Sequence, residues 1–303
     1  MEKFKYDNVK AFVHDEELLK LLCYDKTSDE LFEIFAKDDF LKIDAGTKIP
    51  FFAEIRDYRG AVETGSPESQ WLVKPIKGRD VIESEMAMIS FFIDLFTHTL
   101  SVPVIVTKID NVLYKATKLI NKAEQLSGSN YTVYPELIEQ LLLDMINRWI
   151  TYDEDRNPNN YLIKYNSKNQ NLVLAIDFGN CDLLYKDIKI KGLAKGFGWQ
   201  RKEKTRYLTP LKAENFMSYG MDFYNLRFDY FNKLDSKTLF SICKKALRFD
   251  PDKDQYAKTI TNNILRRTNY VYKYFSAKLP ESVEKNKEYS AMGKSFAQMY
   301  NQS

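Results

Sequence analysis

The chain has 303 residues, 44% of them hydrophobic and 29% charged, with a net charge of +3. That length and balance suit a soluble globular protein with room for two lobes, and so small a positive excess gives no argument for direct nucleic-acid or membrane binding. Three scattered cysteines (Cys23, Cys181, Cys243) and two histidines (His14, His98) exclude a disulfide framework and leave zinc sites or a histidine-based triad poorly supported. Reduced thiols in a cytoplasmic protein are the expectation. The N-terminus is too charged for a signal peptide, and the most apolar stretch, residues 86–100, is cut by Asp94 and His98 and too short for a membrane span.

In chain order, residues 1–45 carry two short runs with helical spacing, Leu18, Leu19, Leu22 and then Leu31, Ile34, Phe35, and no recognisable chemistry. They read as an N-terminal cap or a partner-binding extension. Residues 49–59, IPFFAEIRDYR, predict a strand, followed by the turn-rich connection GAVETGSPES and a second strand, QWLVKP. Glycine lets a main chain approach a ligand without a Cβ, so Gly65 and Ser66 are candidates to meet a phosphate; an ordinary surface hairpin is the competing reading. Lys74 sits in W-L-V-K-P, more apolar surroundings than a solvated lysine needs, and either snorkels to an edge or meets an anion.

A helix follows, with Asp80 as the expected N-cap and Glu83 three residues later. Its predicted inward stripe is Ile82, Met86, Ile89, Ile93 and Phe96. Glu85 falls on that side and is the candidate to reach Lys74, against the alternative of a boundary glutamate. Glu83 groups with Ala87, Ser90 and Asp94 on a more polar face. Residues 101–120 alternate as a hairpin turning at Asp110-Asn111. LSGSN, residues 126–130, marks a boundary, so that the units expected are 1–45, 46–122 and 123–303. Residues 135–150 form the clearest amphipathic helix, with proline and glutamate at its start. Residues 183–208 are rich in lysine and arginine, readable as a solvated loop or as a surface for an acidic partner. The aromatic C-terminal region reads as helical core.

Two motifs carry the chemistry. D-R-N-P-N-N places Asp155 five positions before Asn160, and Asp177 is the aspartate of I-D-F-G, after a short strand–turn–strand. A protein-kinase catalytic loop has a base aspartate and a metal-binding asparagine at that separation, with Asp-Phe-Gly following. Asp155 would take or orient a hydroxyl proton, Asn160 and Asp177 would hold Mg2+ with oxygen ligands, and Lys74 would offset phosphate charge. Arg156 either anchors the loop or faces the transferred group. Each motif alone is also a turn; their joint order, after a strand lysine and a helix glutamate, is what points to an ATP-dependent phosphotransferase.

W-L-V-K-P, the helix with Glu85, V-P-V, D-R-N-P-N-N-Y-L-I and A-I-D-F-G together resemble the HipA-like serine/threonine kinases of bacteria. They are more distantly similar to phosphatidylinositol 3/4-kinases. The resemblance covers roughly residues 50–180. It implies an α+β, bilobed protein-kinase-like fold with a small β-rich N-lobe and a larger, mainly helical C-lobe. It further implies ATP and Mg2+ as cofactors, a protein substrate, and a toxin role restrained by an antitoxin or DNA-binding partner. Asn157 departs from the histidine usual in those families. The serine motif of the glycine loop is also altered, with Ser66 and Ser69 lying where autophosphorylation would occur. Lipid or small-molecule phosphorylation is the alternative activity. A pseudokinase-type binding module is the alternative from another class.

Overall fold

The computed structural model describes residues 62–66, 69–97, 99–109, 111–118, 120, 123–153, 155–165, 171–179, 181–185, 190, 211 and 213–281. The expected N-terminal cap, the strand expected over residues 49–59, most of the basic segment and the tail beyond 281 lie outside them.

Two small antiparallel sheets and a larger helical portion make up the described chain. The first sheet has the order β1-β2-β4-β3, from β1 (Val62–Ser66), β2 (Ser69–Ile76), β3 (Val104–Ile109) and β4 (Val112–Lys118). β1 occupies part of the stretch expected as a connection, and Gly65 pairs with Gln70 within the ladder. The β3–β4 hairpin turns where expected: Ile109 pairs with Val112, and Asn111 takes the positive φ of 66° that short hairpin turns require.

Helix α1 (Arg79–Phe96) begins after Gly78, whose φ of 58° suits a residue without a Cβ. Asp80 is therefore not the N-cap; it lies inside the first turn, where its charge favours the helix dipole. From Ser84 to Phe96 every residue is buried. The face expected to be polar is therefore interior, with Ala87, Ser90 and Asp94 fully covered. A helix enclosed on all sides has no solvent face for its periodicity to report. Against the sheet, Met88 Sδ accepts from the backbone N–H of Val106 at 3.4 Å.

The second sheet has the order β5-β6-β7, from β5 (Ala123–Gln125), β6 (Tyr161–Tyr165) and β7 (Asn171–Ala175). The chain leaving α1 joins it: Val102 N donates to Ala175 O at 2.9 Å and Ala175 N to Leu100 O at 3.1 Å. Helix α2 (Pro135–Thr151), with proline at its first turn as expected, backs this sheet. Its Gln140 amide acts as a surrogate strand edge, donating to Asn171 O and accepting from Val173 N, both at 2.9 Å.

Helices α3 (Ala213–Met217), α4 (Met221–Lys233), α5 (Ser236–Ala246) and α6 (Lys253–Ser276) complete the core. Trp149 of α2 packs edge-on against Phe275 of α6, with ring centroids 5.3 Å apart. Among the described residues no helix is long and apolar enough to cross a membrane.

Candidate active site

Helix α2 ends at Tyr152, in a left-handed conformation at φ 55°, and beyond it Asp153, Arg156 and Asn160 are buried. Arg156 is the centre of this loop and is completely buried. Its Nε pairs with Asp153 Oδ2 at 2.8 Å, one terminal nitrogen donates to Asn160 O at 3.1 Å, and the other donates to Asp177 O. The two arms of one guanidinium thus tie the D-R-N-P-N-N loop to the start of D-F-G. Ile176 N adds a main-chain bond to Asn160 O at 3.0 Å. Of the two roles open to Arg156 in sequence, the geometry is that of the loop anchor. Burial alone would weaken its hold on the proton, but Asp153 outweighs that and raises its pKa, so it is a fixed cation.

Asp155 is half-buried beside this anchor. Its Oδ1 accepts from Asn157 Nδ2 at 2.9 Å, its N–H donates to Asp153 Oδ1 at 3.3 Å, and its carbonyl accepts from Asn160 Nδ2. Asn157 also caps the 3-10 turn Pro158–Asn160, its Oδ1 accepting from Asn159 N at 2.9 Å. Asn157 therefore orients the Asp155 carboxylate. With Asn160 Nδ2 committed to Asp155 O, Oδ1 is the atom of that amide available to a ligand.

Asp177 stands exposed at φ 54°, an uncommon conformation for a residue with a side chain. Gly179 N donates to its Oδ1 at 3.3 Å, and a Cβ on Gly179 would press to 3.2 Å from that same oxygen. The next residue, Phe178, is fully buried, with its ring centroid 5.0 Å from the Arg148 guanidinium and 5.3 Å from that of Arg156. Asn160 and Asp177 offer the oxygen donors that a hard divalent cation takes, and so short a protein donor set suits Mg2+ held together with substrate phosphates. Among the described residues there is no cluster of three or more His, Cys, Asp or Glu for a metal.

Lys74 lies half-buried on β2, directly across from Lys115 of β4. Lys115 is in electrostatic reach of Asp177, Lys74 and Glu83, which brings the first sheet and the D-F-G aspartate to the same place. Gly65 and Ser66 are in β1, one strand farther out.

Glu85 does not reach Lys74. It is fully buried on another side of α1, its Oε1 accepting from Phe249 N at 3.1 Å beyond the end of α5. The helix glutamate on the lysine side is Glu83, which also pairs with Arg79 at 2.8 Å. Spacing places Glu85 inward correctly, but α1 has two inward sides and spacing does not distinguish them.

Burial, only partly offset by the Phe249 N–H, pushes the Glu85 carboxyl up from 4.5 to about 8. A carboxyl that binds its proton more tightly when folded contributes stability that is full below pH 4.5 and lost as pH rises through 8. Glu85→Gln is expected to flatten that decline, read from urea-denaturation midpoints across the range. An unchanged slope would mean the group is already ionised in place.

Sequence reasoning missed a buried charge cluster behind the loop. Arg148 binds Asp94 of α1, its Nε donates to Asp144 Oδ1 at 3.1 Å, and Tyr161 O–H donates to Asp144 Oδ2 at 2.6 Å. The available signal was Asp94 itself, a charge inside the most apolar stretch of the chain. Lys115 was also missed: counting from the hairpin turn places it opposite Val106, and only the register of β2 on β4 sets it beside Lys74.

No protein-family profile matches the sequence, and no curated protein matches it. The solved structure of the Helicobacter pylori proinflammatory kinase CtkA superposes with a TM-score of 0.50, covering 72% of this chain and 91% of that one at 8% identity. The fold is kinase-like. At that identity the likeness speaks of the fold alone, and the kinase-like reading of the chemistry rests on the residues just described.

Proposed function

We propose that this kinase-like protein is a phosphotransferase that moves the terminal phosphoryl group of Mg-bound ATP to a serine or threonine of a protein substrate. The observation that supports it best is the double grip of Arg156 on Asn160 and Asp177, which sets the two motifs side by side, with Asp155 held inside the first of them by Asn157 and Asn160. In this reading Asp155 orients the attacking hydroxyl and takes up its proton, with Asn157 holding the carboxylate in position. Asn160 and Asp177 would hold Mg2+, whose bound charge offsets that of the phosphates. Lys74 adds a cation from the sheet side. In a bilobed arrangement, the first sheet with α1 would form the smaller lobe over the nucleotide.

The resemblance of residues 50–180 to HipA-like kinases extends the proposal to a toxin restrained by an antitoxin or DNA-binding partner. Incubation with labelled ATP and Mg2+, beside Asp177→Ala, tests the core of the proposal. Wild type should label itself or an added protein acceptor, ATP with Mg2+ should raise its melting temperature, and Asp177→Ala should lose both effects. Equal labelling of the two proteins, or no response to nucleotide, removes the enzyme reading.

A further inference from the structure

Lys74 and Lys115 are register partners across β2 and β4, so their side chains leave the sheet on the same face with Cβ atoms about 5 Å apart. Like charges placed directly opposite each other weaken a sheet. Lys115 carries a further cost, because the strand on its other side presents Val106, which is almost wholly buried. Neither lysine makes an ion pair with a described carboxylate. Glu83 is shared with Arg79, and Asp177 acts on Lys115 from beyond ion-pair distance. Burial lowers the hold of Lys115 on its proton, with Asp177 only partly restoring it. Stability alone gives no reason to set two cations side by side in this position, whereas an anion arriving between them and Asp177 does.

We infer that Lys115 is a phosphate-binding residue, and that the Lys74–Lys115 pair together receives the polyphosphate of a nucleoside triphosphate. The inference rests on the phosphotransferase reading. A divalent cation at Asn160 and Asp177 leaves a triphosphate anionic, and the two ammonium groups offset the remainder. Lys74 alone would leave Lys115 as an uncompensated second charge.

The test titrates inorganic tripolyphosphate and ATP, each with Mg2+, into wild type, Lys74→Met, Lys115→Met and Lys115→Arg, and records melting temperatures without ligand. Lys115→Met is expected to weaken both ligands about tenfold, the effect of one lost charged hydrogen bond. Lys115→Arg should retain most of the affinity. Without ligand, Lys115→Met should melt no lower than wild type, because the substitution removes a poorly compensated cation; a merely structural lysine would show the reverse. If Lys115→Met does not fold, Lys115→Gln is read in its place. Wild-type affinity in Lys115→Met, with loss in Lys74→Met, overturns the inference and leaves the phosphotransferase reading standing. Failure of wild type to bind either ligand overturns both.

Discussion

Asp155→Ala is expected to lower phosphoryl transfer by about 10²–10⁴-fold, the range that a positioned acid or base contributes, while leaving nucleotide affinity nearly unchanged. The separation of effects follows from how the loop is built. Its shape is held by Arg156 on Asp153, Asn160 and Asp177, and by the main-chain carbonyl of Asp155 on Asn160 Nδ2. None of these bonds uses the Asp155 carboxylate. Among the bonds described, the substitution removes the acceptor for Asn157 Nδ2, at a half-buried position where water can replace it. Stability should therefore move little. Steady-state rates with a protein acceptor, beside calorimetric ATP binding, separate the two quantities. A turnover within about threefold of wild type would remove Asp155 from the chemistry, since general acid–base assistance is worth far more than that.

Arg148→Met is expected to have the largest effect on stability, about 3–5 kcal/mol, the cost of leaving buried charges without their partner. Arg148 is fully enclosed, and its nitrogens meet Asp94 of α1, Asp144 of its own helix at 3.1 Å and Asp153 of the loop at 3.9 Å. Burial disfavours its charge, but those aspartates overcome the penalty and raise its pKa well above the ordinary arginine value. Asp94 keeps a bond from Asn147 Nδ2 at 2.8 Å, and Asp144 keeps Tyr161; neither is a full counter-charge. Total stabilities of about 5–15 kcal/mol make such a loss a large fraction of the whole. Because the cluster joins α1, α2 and the loop beneath Phe178, the same substitution should also depress activity at temperatures where the variant remains folded. Urea denaturation followed by circular dichroism measures the first effect. A change under about 1 kcal/mol would mean the cluster is far better solvated than its burial indicates.

How far the site could be read in advance depended on how local each signal was. D-R-N-P-N-N and I-D-F-G were legible because their chemistry is written in adjacent residues. The paired strands β6 and β7 between them were legible too, because alternation is a property of short segments. The β3–β4 hairpin and α2 were found for the same reason, through Asp110-Asn111 and an apolar face begun by Pro135. Part of the connection expected over GAVETGSPES is instead a strand, because its glycines signalled a turn while pairing with β2 holds Val62–Ser66 extended. Tertiary pairing overrode local composition there.

The side-chain partners behaved differently. Glu85 and Glu83 are two positions apart on one helix, and which of them faces the lysines depends on how α1 is rotated between the first sheet and the C-terminal helices. The groups they meet, Phe249 N for Glu85 and Lys115 for Glu83, lie far along the chain. Lys115 meets Lys74 only through the register of β2 on β4, and Arg148 meets Asp94 only because α1 and α2 are buried against each other. The sequence by itself determined the order of the elements, the two motifs and the residue types able to hold phosphate and metal, since each lies within a few neighbouring residues. Only the tertiary structure decided which charges face one another, because electrostatic partnership falls off within a few ångströms and chain separation says nothing about that distance.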